Sequence, residues 1–410
     1  MMADPQESTA PTFAAWPAPV ALAALAAQPR RFTLDGDDAL EAHLSRACEQ
    51  VVSGIRGLVP GRSLEAVILG GGYGRGEGGV LACDGGDQPY NDLEFYVAIR
   101  GLRHLNEFLY HRRLEVLAEI LTPIVGVEVE FKVTSLHELS AKPASMFSYD
   151  LALGHRVAWA RDPEGIPALL ERHGDAGAIP LSEASRLLMN RSSGLLFARE
   201  KLDQAELTPA DADFVKRNIA KAQLACGDAV LVAHGQYHWS CRRRHRRLEG
   251  LAGYAHDPFY KAVLLNHAIG VQFKLRPERQ EQTRADMETS WTEVSRLTRA
   301  CWLWTESRRL GRAFWTVRDY VGSSCPKGPK SSPLSNVVLN ARAERRVRWS
   351  RRFAAHPRER VFHTLSLLLW APDEIPDEER HELLENEIGR RPRSREGWIE
   401  AYRTLWVHAR

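Results

Sequence analysis

The residues best suited to chemistry crowd into one stretch. Leu69-Gly-Gly-Gly-Tyr-Gly-Arg-Gly-Glu-Gly-Gly79 is followed closely by Asn91-Asp-Leu-Glu-Phe-Tyr96. Glycine lets a backbone take positive φ and approach a polyphosphate, and the N–H groups exposed in such a turn cradle anionic oxygens. Alternate residues of a strand share a face, so Asp92 and Glu94 stand side by side, roughly 7 Å apart along the chain, and can share divalent cations. A third carboxylate, Glu130 or Glu128, lies in Val127-Glu-Val-Glu-Phe-Lys-Val133 and would complete a two-metal cage. Such a cage activates an attacking hydroxyl and neutralises a pyrophosphate leaving group.

Positioning these groups requires a strand on each side of the glycines. Glu65 to Leu69 is short, β-favouring and stops at glycine, and Leu93 to Ile99 reads as the next strand. Before them, Leu40, Leu44, Ala47, Val51 and Ile55 recur at helical spacing; after them, Leu105, Leu109, Leu114, Leu117 and Ile120 do the same and lead to a third strand over 127–133. The predicted order is helix, strand, glycine turn, strand, helix, strand. Beyond Pro180 long helical patterns take over: 183–202 with Ser182 as N-cap, then 210–235, 258–275 and 287–320. Residues 323–335, rich in Pro, Lys and Ser, read as a linker or long loop, and the apolar run from Val361 to Trp370 reads as a helix stopped by Pro372.

With these residues in place, the chain resembles the polymerase-beta-type nucleotidyltransferase superfamily, whose signature is Gly-Ser or Gly-Gly after a first strand and Asp-x-Asp or Asp-x-Glu on the second. The likeness runs over about residues 38–235 and is concentrated in the core motifs. It implies that Gly71 and Gly72, with Gly74 and Arg75, hold the nucleotide's phosphates. It also implies that Asp92 and Glu94 hold magnesium, and that Glu130 binds the catalytic metal and helps activate the acceptor. Lys216-Arg-Asn-Ile-Ala-Lys221 is similar to a helix that crosses the nucleotide in relatives with helical C-terminal domains, which brings Lys216 or Lys221 to the triphosphate. Gly72 stands where the family commonly has serine, and the stretch from Gly72 to Asp92 is longer than its common spacing.

Other motifs read less specifically. Gly74-x-Gly76-x-x-Gly79 matches a dinucleotide-binding turn in form, but the glycines and proline that follow cannot open the required helix. No Gly-Lys-Ser/Thr follows to make a P-loop. His234, His238, Cys241 and His245 would form a metal-binding stripe on one continuous helix, which Gly235 interrupts. Arg242 to Arg247, and the cluster Arg342, Arg345, Arg346, Arg348, Arg351 and Arg352, are basic enough to grip RNA, though a solvated face is the commoner reason for such runs.

Composition bounds the rest. The 55 basic and 52 acidic residues nearly cancel, so net charge argues for no nucleic-acid partner. Six scattered cysteines without a CxxC pair fit reduced thiols in a cytoplasm, and no apolar run reaches membrane-spanning length. The expectation is an α+β protein. A flexible leader (1–37) precedes a small mixed-sheet nucleotidyltransferase core (38–175), a helical domain (176–322), a linker or long loop (323–335) and a C-terminal helical extension (336–410). The expected activity is transfer of a nucleoside monophosphate from an NTP, with two Mg2+ ions (Mn2+ as a substitute) and pyrophosphate release, to an unidentified acceptor: a small molecule, RNA or protein. The alternative is a non-catalytic nucleotide- or nucleic-acid-binding module on the same fold.

Overall fold

The computed structural model describes residues 31–251, 256–277, 282–344 and 354–408. The chain is α+β, with a small mixed sheet at one end and helices throughout the rest. Most of the expected leader, and the whole arginine cluster from Arg342 to Arg352, lie outside the described side chains. Phe32 and Thr33, at the leader's end, are buried, and both backbone N–H groups donate to the Glu41 carboxylate.

Helix α1 (Asp38–Leu58) starts on Asp37, whose carboxylate accepts from the Leu40 N–H, and buries the apolar positions that its spacing predicts. Strand β1 (Leu64–Leu69) runs into α2 (Gly71–Arg75), then into a hairpin of β2 (Val80–Cys83) and β3 (Gly86–Pro89), and on to β4 (Leu93–Ile99). Helix α3 (Arg103–Val125) crosses over to β5 (Val129–Thr134). The sheet order is β5-β4-β1-β6, where β6 is Arg156–Ala160; β4 and β5 are parallel, and β1 is antiparallel to both its neighbours. Two short helices, α4 (Leu136–Ala141) and α5 (Met146–Leu153), precede β6, and α6 (Gly165–Leu170) follows it.

The helical part begins with α7 (Leu181–Leu202), α8 (Pro209–Ala233), α9 (Cys241–Glu249), α10 (Pro258–Leu275) and α11 (Arg284–Leu310). It ends with α12 (Val317–Gly322), α13 (Pro333–Glu344), α14 (Pro357–Leu369), α15 (Asp377–Ile388) and α16 (Arg395–His408). Two boundaries differ from the sequence reading. The N-cap of α7 is Pro180 rather than Ser182. The helix expected over 287–320 is two helices, because Gly311 takes the left-handed conformation with φ 63° and closes α11. One large core joins α5 and the helices from α7 onward except α13, and a second fills the space between the sheet, α1 and α3.

The two ends are bolted together by polar contacts. Tyr90 Oη donates to Asp213 on α8 at 3.0 Å, and Arg276 pairs with Asp35 and Asp87. Buried Glu77 accepts from Ser240 Oγ at 2.5 Å and from the Cys241 N–H at 2.8 Å, so a carboxylate from the glycine run caps α9. That carboxylate stays charged: Lys274 and these donors outweigh the cost of its burial and hold it below the ordinary range.

Candidate active site

The sequence between β1 and β4 folds around Tyr73. This ring is fully buried, its hydroxyl donates to the Gly79 carbonyl at 2.8 Å, and it accepts from the Tyr90 N–H at 2.9 Å. Asn91 Oδ1 takes the Gly79 N–H at 2.9 Å. The long spacing to Asp92 is therefore occupied by α2 and the β2–β3 hairpin, and the expected open turn is a short helix. Within it the glycines divide. A Cβ on Gly74 would sit 2.2 Å from the Leu69 carbonyl oxygen, so this glycine serves close packing against β1. A Cβ on Gly71, at φ 61°, would meet only the Glu94 side chain at 3.7 Å, so Gly71 lies open beside the carboxylates. Gly72 is held against the backbone at Glu77 and Gly78.

Asp92 and Glu94 share a face at the start of β4, and the parallel register sets Glu94 beside Glu130 of β5. Carboxylate oxygens of Asp92, Glu94 and Glu130 all come within 4.8 Å of one another. This register decides between the two candidates on β5: Glu130 joins the cluster, while Glu128 lines the neighbouring cleft. Burial, then repulsion from Glu94 and Glu130, lifts the Asp92 carboxyl above its ordinary value. Lys132, two residues beyond Glu130 on the same face, sets its ammonium 2.9 Å from Glu130 and 3.4 Å from Glu94. Tyr96 Oη donates to Glu94 at 3.2 Å. An all-oxygen donor set with mutually repelling charges, already drawing in an ammonium, can hold a hard divalent cation. Among the described residues it is the one such cluster.

Beside it opens a cleft of about 640 Å³ between the sheet and α5, α7, α8 and α10. Many of its charges are paired: Arg75 with Asp150 at 2.6 Å, Arg244 with Asp228 at 2.8 Å, Arg186 with Glu183, and Arg217 with Asp213. Tyr237 Oη donates to Asp150 and accepts from Arg244, which links two of these pairs into a buried chain. Arg191, Lys221 and Lys274 line the same cleft and have no ion-pair partner among the described residues. Burial lowers the pKa of all three. For Lys221, Arg191 and Arg217 depress it further, while Asp92 and Glu94 pull the other way.

The structure thus brings together Asp92, Glu94 and Glu130, with Gly71 beside Glu94, while Arg75 and Lys221 line the cleft that Asp92 borders. Lys216 lies instead on an adjoining groove, with Ile219, Gln223 and Asn266. No motif in the sequence marks Arg191 or Lys274, because their lack of partners is a tertiary property. Lys132 was legible from its alternation with Glu130 and was missed. The His/Cys stripe does not form: His234 caps α8, His238 is in the following loop, and Cys241 and His245 are on α9. Arg244 in the basic run is buried, while Arg242, Arg243 and Arg246 are exposed. Comparison with protein-family models, curated proteins and solved structures found no match to this chain.

Proposed function

We propose that this chain is a magnesium-dependent nucleotidyltransferase that moves a nucleoside monophosphate from an NTP to an acceptor and releases pyrophosphate. The observation that carries the reading is the convergence of Asp92, Glu94 and Glu130 at the mouth of a cleft with unpaired cations on its opposite wall. The resemblance of the Gly71-Gly72 and Asp92-Leu-Glu94 motifs to the polymerase-beta-type superfamily supports it from the sequence side.

In this reading Asp92, Glu94 and Glu130 hold the metal. Two bound magnesium ions would supply charge neutralisation at the α-phosphate and at the departing pyrophosphate. Lys221 and Arg191 grip the triphosphate. The acceptor oxygen attacks the α-phosphorus in line, a new O–P bond forms, and the bond from that phosphorus to the pyrophosphate oxygen breaks. Glu130, exposed at the edge of the cluster, takes the acceptor's proton. The six free cysteines go with a reducing cytoplasm. No described helix is long and apolar enough to cross a membrane.

One observation favours the second reading, a binding module without turnover. The Lys132 ammonium already bridges Glu94 and Glu130 and competes with a metal for both. The deciding experiment incubates the full chain with each α-labelled NTP, magnesium and lysate, then follows label transfer and pyrophosphate. The expected result is transfer, reduced about a hundred- to a thousandfold by Asp92→Ala with the thermal midpoint preserved. Full turnover by folded Asp92→Ala protein would remove the metal-site assignment. Magnesium-independent NTP binding without pyrophosphate release, in lysate that supplies acceptors, selects the module.

A further inference from the structure

Helix α3 carries apolar residues on both of its sides. The inner side, with Leu114, Leu121 and Val125, is buried in the core that it shares with the sheet and α1. On the outer side Leu105, Phe108, Leu109, Val116, Ile120 and Ile124 are all exposed, from 40% at Val116 to 85% at Phe108. Helix α1, in the same core, exposes no large apolar residue. At 3.6 residues per turn the six exposed side chains fall within about 160° of arc on a helix roughly 35 Å long, so they form one continuous stripe. A stripe of that length facing water marks an interaction surface.

Its spacing and its charges both point to the same occupant. Leu105 and Ile124 are equidistant from the point between Leu114 and Glu115, and so are Leu109 and Ile120. A second α3 laid antiparallel therefore sets Leu105 against Ile124 and Leu109 against Ile120, twice over. Charge divides about the same point: His111, Arg112 and Arg113 precede it, Glu115 and Glu119 follow it, and no basic residue occurs from Leu114 to Val125. The acid of the first half, Glu107, is taken by Arg103 at 2.8 Å. Within the chain Arg112 reaches Glu115 at 3.3 Å, while Arg113 has no ion-pair partner among the described residues. Antiparallel packing puts these arginines between Glu115 and Glu119 of the second copy, whereas parallel packing would set like charge on like.

We infer that α3 is the two-fold interface of a homodimer, in which a second copy of this chain lays its own α3 antiparallel across this face. The inference is independent of the transferase reading, since no residue of the stripe lines the cleft or belongs to the carboxylate cluster. One helix pair covers less than the standard interface of about 800 Å² per partner, so the dimer is reversible, with a dissociation constant on the order of 1–100 µM.

Sedimentation velocity of the full chain across that concentration range reads the equilibrium directly. Wild-type protein should pass from monomer to dimer. Leu109→Glu and, separately, Ile120→Glu should weaken association at least about tenfold and leave the thermal midpoint unchanged, because both side chains stand in water in the monomer. Arg112→Glu with Arg113→Glu should weaken it too, and adding Glu115→Arg and Glu119→Arg to the same chain should restore it, a rescue that only the antiparallel pairing provides. A monomer at every concentration overturns the inference, as does a dimer indifferent to Leu109→Glu and Ile120→Glu, or a charge swap that rescues nothing. A thermal midpoint that falls in a monomeric Leu109→Glu protein would mean that the chain covers this face itself. Co-sedimentation of monomer with phosphatidylcholine–phosphatidylglycerol vesicles, lost in Leu109→Glu, would assign the stripe to a lipid surface and equally overturn the dimer.

Discussion

Asp228 on α8 and Asp92 at the head of β4 line the same cleft and meet opposite treatment there. Asp228 is buried, yet Arg244 at 2.8 Å and His267 at 3.4 Å outweigh the cost of burial and hold its carboxyl below the ordinary range. Asp92 is raised by burial and by its acidic neighbours, and Lys221 only partly offsets them. On the helical wall Arg186, Arg217 and Arg244 are paired with acids, while Arg191, Lys221 and Lys274 have no ion-pair partner among the described residues. At the sheet rim Lys132 meets Glu94 and Glu130, whereas Asp92 has no ion-pair partner among the described residues, a state that a bound cation would relieve.

Removing a partner on the helical wall should do the most damage. Asp228→Ala leaves Arg244 buried with the Tyr237 hydroxyl as its remaining hydrogen-bond partner among the described residues, and should cost about 3–5 kcal/mol in urea unfolding; a loss below about 1 kcal/mol would dissolve the contrast with Asp92. The same division runs through the glycines. Gly74→Ala drives a methyl group into the Leu69 carbonyl, a backbone atom that cannot swing aside, and should cost about 1–3 kcal/mol by thermal melting, whereas a stability within 0.5 kcal/mol of wild type (about the noise of such measurements) would mean that the turn is looser than drawn.

Acid probes the wall through His238. Burial, then Arg247, Arg243 and Arg244, push its pKa down to about 3 from 6.5, and its Nδ1 accepts the Ser240 N–H. A depressed folded value means that the neutral ring's contribution is complete above 6.5 and is lost as pH falls from there toward about 3. The unfolding free energy from urea titration should drop by about 1–2 kcal/mol between pH 7 and pH 5, and His238→Gln should flatten that drop; an equal slope in both proteins would acquit this histidine. Smallest of all, Arg242→Ala on the exposed face of α9 should change stability by less than about 0.5 kcal/mol, although Arg244 two residues on belongs to the first class.

Periodicity and glycine placement made α1, β1, β4 and α3 legible, and alternation put Asp92 with Glu94 before any coordinates. What stayed hidden depends on distant pairing. Strand β6 is half-buried along its length and finds β1 some ninety residues upstream, so no local pattern announces it. Glu77 reads as one more residue of a glycine run, while its partners are Ser240 and Cys241. Whether Glu128 or Glu130 completes the cluster is a matter of strand register, which spacing within one strand cannot supply. Arg191 and Lys274 look like any helical cations, because only the tertiary structure shows that no carboxylate comes within ion-pair distance of them among the described residues.

Glu77 has a consequence for the way the molecule comes apart. Its carboxylate sits in the glycine-rich run while the groups that satisfy it begin a helix far along the chain, so melting either end strips the other of a buried bond. Heat should undo sheet and helices in one cooperative step. A fragment ending near residue 180 would carry a desolvated acid with no donor to meet it, and its nucleotide-side loop would open to water to rehydrate that acid.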